Sequence, residues 1–219
     1  MDIFLKFGSE RDMNDLLLNG TIYCKPISYF AQKDDSCRFD KNELVVRMHY
    51  HENSIIHLIP IDEPTKKITL NASNLRHRVS LANPVGNLYC LFLTTIDTSL
   101  PIIHSPFDAR LKEFGTHCVG ILNNTEFFRR IFDQLKKNKI EYGNDDITYK
   151  DLSKFTGKKD LFTKGIEYSW QKEYRIQLVT GINEPYVFSI GSIEDIAFIM
   201  DTADIENKVF VNASLIKET

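Results

Sequence analysis

Ser169-Trp170-Gln171-Lys172-Glu173-Tyr174-Arg175-Ile176-Gln177-Leu178 alternates in chemical character from residue to residue. Side chains point to opposite faces along a β-strand, so the pattern predicts a strand over Trp170–Val179 with two unlike faces. Trp170, Lys172, Tyr174, Ile176 and Leu178 share a mostly apolar face, whereas Gln171, Glu173, Arg175 and Gln177 share a wholly polar one. Two readings of the polar face stay open. It meets water, as one face of a half-buried strand commonly does. Alternatively it lines a cleft, where a carboxylate flanked by an amide and a guanidinium orients a substrate.

Outward from this stretch the chain reads as many short strands with few helices between them. Ile3–Phe7 and Thr21–Lys25 are predicted strands around a helix, which starts after Ser9 as N-cap and ends at Asn19-Gly20. Pro26 opens a turn or short helix through Tyr29-Phe30. Glu43–Tyr50 and Ser54–Pro60 are expected to form a hairpin across His51–Asn53, with further strands at Lys66–Asn71 and Arg76–Leu81. Leu88–Thr94 (LYCLFLT) is apolar almost throughout, as in a central strand buried on both faces. Phe107–Phe114 suggests a short helix and Thr116–Leu122 another buried strand. In Thr125–Lys137, Phe127, Phe128, Ile131, Phe132 and Leu135 recur at helical spacing. Tyr142–Lys164 reads as loop, and strands resume at Tyr186–Ile190, Ile196–Met200 and Val209–Val211. Without a βαβ repeat, Rossmann-type winding is not expected. The pattern predicts an α+β fold with a split, mixed or antiparallel sheet, as one domain over residues 1–219.

Composition narrows the function classes. With 219 residues, 42% hydrophobic and 26% charged, the chain can bury a core without disulfides or metal. A net charge of -3 argues against broad non-specific nucleic-acid binding, though not against a local basic patch. Cys24, Cys37, Cys90 and Cys118 form no CxxC pair and read as reduced thiols of a cytoplasmic protein. The first residues do not resemble a signal peptide, and no apolar run reaches the ~20 residues of a membrane helix. There is no GxGxxG fingerprint and no P-loop.

Three further clusters invite chemistry. His49 and His51, with His57 nearby, place two imidazoles on one strand face, but no carboxylate or thiol stands at a third-ligand spacing, so surface histidines and no metal are expected. Asp34, Asp35, Arg38, Asp40 and Glu43 read as a solvated loop, with a metal-dependent nuclease as the sharper alternative. Arg129, Arg130, Lys136, Lys137 and Lys139, with Lys154, Lys158, Lys159 and Lys164, are the only hint of a nucleic-acid surface.

The order of the motifs is more specific than any one of them. Leu5-Lys6-Phe7-Gly8-Ser9 is followed by a helix, Asn19-Gly20-Thr21-Ile22-Tyr23, Ile27-Ser28-Tyr29-Phe30 and the Asp34–Glu43 loop. Leu88-Tyr89-Cys90-Leu91-Phe92 comes next, then Lys164 and Tyr168–Arg175. To about Leu178 this order resembles the DUF2971 group of bacterial and phage proteins, a divergent branch of the ADP-ribosyltransferase fold. The resemblance implies NAD⁺ as substrate and a toxin or effector in phage–bacterium conflict, with a nucleic-acid or protein acceptor and a possible antitoxin partner. It implies Glu173 as the catalytic carboxylate and Gln171 as the residue that orients the acceptor. It also implies an NAD site lined by Lys6, Phe7, Gly8 and Ser9, with Tyr29 and Phe30 flanking the nicotinamide and Arg38 reaching a phosphate. Lys6 departs from the His or Arg of many relatives, so it offers no guanidinium fork. An inactive binding module on the same fold is the rival implication.

Overall fold

A computed structural model describes residues 2–31, 40–95 and 107–205. In chain order the elements are β1 (Asp2–Gly8), α1 (Glu10–Asn19), β2 (Thr21–Pro26), β3 (Val45–Leu58), β4 (Ile68–Ser80), β5 (Asn87–Thr95), β6 (His117–Ile121) and α2 (Asn124–Lys137). They continue with β7 (Glu141–Asp146), β8 (Thr148–Lys150), β9 (Gly157–Lys158), β10 (Thr163–Gly165), β11 (Glu173–Val179), β12 (Tyr186–Ser189) and β13 (Ala197–Asp201). Short 3₁₀ segments lie at Ile27–Ala31, Ala109–Phe114, Ile166–Gln171 and Thr202–Asp204. The fold is mixed α+β, with antiparallel pairing except between β8 and β10.

The main sheet runs β12-β2-β5-β1-β6-β13, and β11 and then β7 join at the other edge of β5. The strand LYCLFLT is thus central, as its continuous apolar character predicts. The sheet forks along β5. β1 pairs with Phe92–Thr95, β2 pairs with Asn87 and Leu88, and Tyr89–Leu91 between them have no ladder partner on that edge. β1 continues past the fork as Lys6–Gly8, paired only to β6.

Both α-helices form for reasons visible in the chain. Ser9 caps α1 by accepting from the Asp12 amide, and Gly20 closes it in the left-handed region at φ 62°. Asn123 caps α2, which buries Phe127, Ile131 and Leu135 on one stripe and carries Lys136 and Lys137 in its last turn. These stripes pack with Phe4, Ile22, Leu91, Ile176 and Leu178 in the main core.

Gly20 has no room for a side chain. A Cβ there would stand within van der Waals overlap of the Gly191 backbone, and the Ile190 amide donates to the Gly20 carbonyl. Gly20→Ala combines left-handed strain with a backbone clash and is expected to destabilise the protein by roughly 2–4 kcal/mol. Thermal unfolding should show this as a melting point lower by about 5–15 °C.

The middle of the chain differs from expectation. His51–Asn53 is not a hairpin turn. β3 runs through it as one 14-residue strand, and β4 replaces two separate strands, so the pair forms a long arm with β9 along part of its other side. The polar residues at 51–53 mark an arm solvated on both faces rather than a reversal. Tyr142–Lys164 is likewise not loop throughout, since β7 to β10 lie within it. The expected strand at Val209–Val211 lies outside the described residues.

Candidate functional site

The decapeptide that opened the sequence reading is not one strand. Ile166–Gln171 is a 3₁₀ segment, Lys172 turns the chain in the left-handed region at φ 40°, and the strand begins at Glu173. Trp170 and Lys172 therefore do not belong to the apolar face. Tyr174, Ile176 and Leu178 do, packed into the main core. Most of the polar face is covered, with Gln177 left half-exposed. Glu173 is 9% exposed and Arg175 fully buried. The turn bearing Glu43, the 157–164 segment and the 3₁₀ segment cover it.

Under that cover lies a buried ionic network. Arg175 Nη1 and Nη2 donate to Glu43 Oε1 and Oε2 at 2.5 and 3.0 Å, and Nη1 also donates to the Leu161 carbonyl. Arg175 Nε donates to Glu173 Oε1 at 2.5 Å. Lys164 Nζ donates to Glu173 Oε2 at 2.6 Å and to Gln171 Oε1 at 2.8 Å. The Glu173 backbone amide donates to the Tyr149 hydroxyl. Asp40 and Lys159 are buried beside these groups, where burial raises the Asp40 carboxyl and lowers the Lys159 ammonium. The charges of Glu43, Glu173, Arg175 and Lys164 persist in the interior because they are paired and hydrogen-bonded.

Asp40 and Glu43 are thus not part of a solvated loop. Asp34, Asp35 and Arg38, with the proposed phosphate contact of Arg38, lie outside the described residues. Among the described residues no group of three or more histidines, cysteines or acids is placed to hold a metal ion. The lysine patch also loses members, because Lys159 and Lys164 are buried. Arg129 and Arg130 are paired with Glu126, Asp133 and Asp195 on the surface of α2 and beside it.

A cleft of about 1150 Å³ opens at the fork of the sheet. Lys6, Phe7, Gly8 and Ser9 from the end of β1 line it, with Tyr29 and Phe30, Tyr89–Leu91 from the unpaired stretch of β5, and Gln171, Glu173 and Lys164. Residues far apart in sequence therefore share one cavity. Lys6 crosses the fork. Its Nζ donates to the Cys90 carbonyl at 2.7 Å and lies 4.2 Å from the centroid of the Tyr89 ring. It thereby satisfies a carbonyl that the open edge would otherwise leave without a partner. Tyr29 and Phe30 meet edge to face, and Lys25 lies over the Tyr29 ring.

The electrostatics follow from burial and neighbours. Burial alone would push the Glu173 carboxyl up, but the charges of Arg175 and Lys164, with hydrogen bonds from Arg175 and the Cys90 thiol, hold it well below the usual carboxylate range. Burial lowers the Lys6 ammonium and pushes the Cys24 thiol up to about 12. A carboxyl whose folded pKa is depressed contributes stability above its unfolded value near 4.5, and that contribution fades as pH falls below it. Urea midpoints of wild type and Glu173→Gln should therefore differ most at neutral pH and converge as pH drops below about 4. A gap that stays constant from pH 7 to 3 would contradict the ionic role.

Sequence reasoning missed Glu43, Lys164, Cys90 and Tyr149 as neighbours of Glu173. Lys164 stood in the motif order without a role. Glu43 lies 132 residues from Arg175, and nothing local couples them. Comparison of the chain with known protein families, with curated proteins and with solved structures finds no match.

Proposed function

We propose that the protein is an NAD⁺-dependent ADP-ribosyltransferase with a split sheet of the ADP-ribosyltransferase type, using the cleft at the fork of that sheet. The observation that carries the reading is the meeting of Lys6–Ser9, Tyr29 and Phe30 with Gln171 and Glu173 around one cavity. The cavity is of a size that suits an extended small molecule. Its aromatic rings offer stacking surfaces and its floor a carboxylate whose charged form Arg175 and Lys164 favour.

The chemistry needs such a carboxylate. The bond between ribose C1′ and the nicotinamide nitrogen breaks, and nicotinamide leaves with the bonding electrons. Positive charge builds on the ribose, and a nucleophilic atom of the acceptor bonds to C1′ and releases its proton. Glu173 stabilises the charge electrostatically, the term that usually dominates in such sites. Gln171, beside it through Lys164, orients the acceptor. Glu173 is already engaged by Arg175, Lys164 and the Cys90 thiol, so a ribose hydroxyl takes one of these places when it binds. Of these partners, Lys164 and Cys90 line the cleft.

That saturation also favours the second reading, a binding module that keeps the cleft without turnover. Isotopically labelled NAD⁺ incubated with the protein and cell lysate separates the two. Label entering RNA, DNA or protein, with nicotinamide released, supports transfer. Absence of both transfer and nicotinamide release with the folded protein sinks the transferase and leaves the module, whose cleft takes a partner protein. The free thiols Cys24, Cys90 and Cys118 fit a cytoplasmic effector, and an acceptor or antitoxin partner is part of this proposal. Among the described residues no helix is long and apolar enough to cross a membrane.

A further inference from the structure

The arm formed by β3 and β4 ends in an open edge. β4 is 13 residues long and pairs with β3 on one side, and no strand among the described residues pairs its other side. An exposed edge of this length is a template for another strand, and proteins normally blunt such edges with charge, proline or brevity. The other sheet edges here follow that rule. β12 and β13 are four and five residues long, and β7 carries Glu141, Asp145 and Asp146 in six residues. β4 has no proline, its charges Arg76 and Arg78 are confined to one half, and it exposes Ile68, Leu70 and Val79.

We propose that β4 pairs antiparallel with β4 of a second copy of this chain, centred on Asn74. In that register all 13 residues overlap and the side chains are compatible. Ala72 stands opposite Arg76, Leu70 opposite Arg78, Asn71 opposite His77 and Asn74 opposite itself. The basic half of each strand thus meets a neutral half, with no like charges face to face, which cross-strand pairing requires. The arginine stems cover the aliphatic residues across from them.

The second argument is mechanical. β9 supports the arm only at Arg47 and Met48. Beyond it, Ser54–Leu58 and Ile68–Ala72 form a ribbon of two strands, which is marginal alone in water. In the proposed register this outer ribbon lies along residues 76–80 of the second copy, the half that is anchored. Each copy steadies the free end of the other, giving the self-complementary contact of a two-fold dimer.

Sedimentation velocity over a concentration series tests the proposal. The wild type is expected to be dimeric at about 10–100 μM, a range typical of modest interfaces. Ala72→Lys sets an ammonium opposite Arg76 of the second copy and is expected to weaken the dimer by roughly tenfold or more. Adding Arg76→Glu to Ala72→Lys turns that repulsion into an ion pair and restores it. Both positions lie on the outer arm, away from the main core, so the far-ultraviolet circular dichroism of the folded chain should stay native-like. A wild type that is monomeric throughout the series overturns the proposal. So does a dimer indifferent to Ala72→Lys, or one that Arg76→Glu fails to restore.

Discussion

Arg175→Met is expected to destabilise the folded protein by about 3–5 kcal/mol or more, the range for removing one partner of a buried ion pair. The reason is geometric. Arg175 is fully buried and is shared between Glu173 and Glu43, and Glu43 is itself too deeply buried for water to take the place of the guanidinium. Methionine fills much of the same volume, so packing loss is small and the effect reports charge. Glu173 keeps Lys164, whereas Glu43 loses both guanidinium hydrogen bonds. Replacing Glu43 together with Arg175, as Glu43→Met/Arg175→Met, removes a neutral pair and should recover a large part of the loss, because an apolar pair of similar volume is often tolerated. Urea denaturation with a common slope measures both variants. A single variant within about 1 kcal/mol of wild type, or a double variant no better than the single, would show that the network does not hold this face of the sheet.

Most of the scaffold was legible because its signals are local. Ser9, Gly20 and the 3.6-residue stripe of α2 specify helices within a few residues of themselves. The uninterrupted apolar run of β5 marks burial on both faces. The failures come where polarity has no single structural meaning. In β11 most of the polar face is covered by a second layer, and its charges are neutralised by partners from as far away as Glu43. Beyond the buried Val45 and Met48, β3 and β4 are largely solvated on both faces, so alternation carries little information and polar residues at 51–53 resemble a turn. The kink at Lys172 is invisible to periodicity as well. It moves Gln171 off the strand, yet Lys164 returns it to Glu173 by bonding both side chains. The expected neighbourhood of Gln171 and Glu173 is thus present, but a lysine seven and nine residues upstream holds it together rather than a shared strand face.

Glu173→Gln is expected to abolish label transfer from NAD⁺, lowering kcat/KM by at least about 10²–10³-fold, the scale seen when a group that stabilises transition-state charge is neutralised. The amide keeps the shape of the carboxylate but has a single acceptor oxygen, so it accepts from Arg175 or from Lys164 and turns its NH₂ toward the other cation. What it lacks is the negative charge that would stabilise a developing cation at C1′. Stability will fall too, since two buried cations lose a counter-charge. Transfer should therefore be measured well below the melting point of the variant and normalised to its folded fraction. Binding provides the discriminating control. If Glu173 acts chiefly on the transition state, NAD⁺ affinity falls far less than kcat, as differential binding requires. If affinity and rate fall in parallel, Glu173 is a binding residue. If the folded variant transfers label as fast as wild type, the carboxylate at the floor of the fork is only structural, and the cleft must work through other residues or as a binding surface.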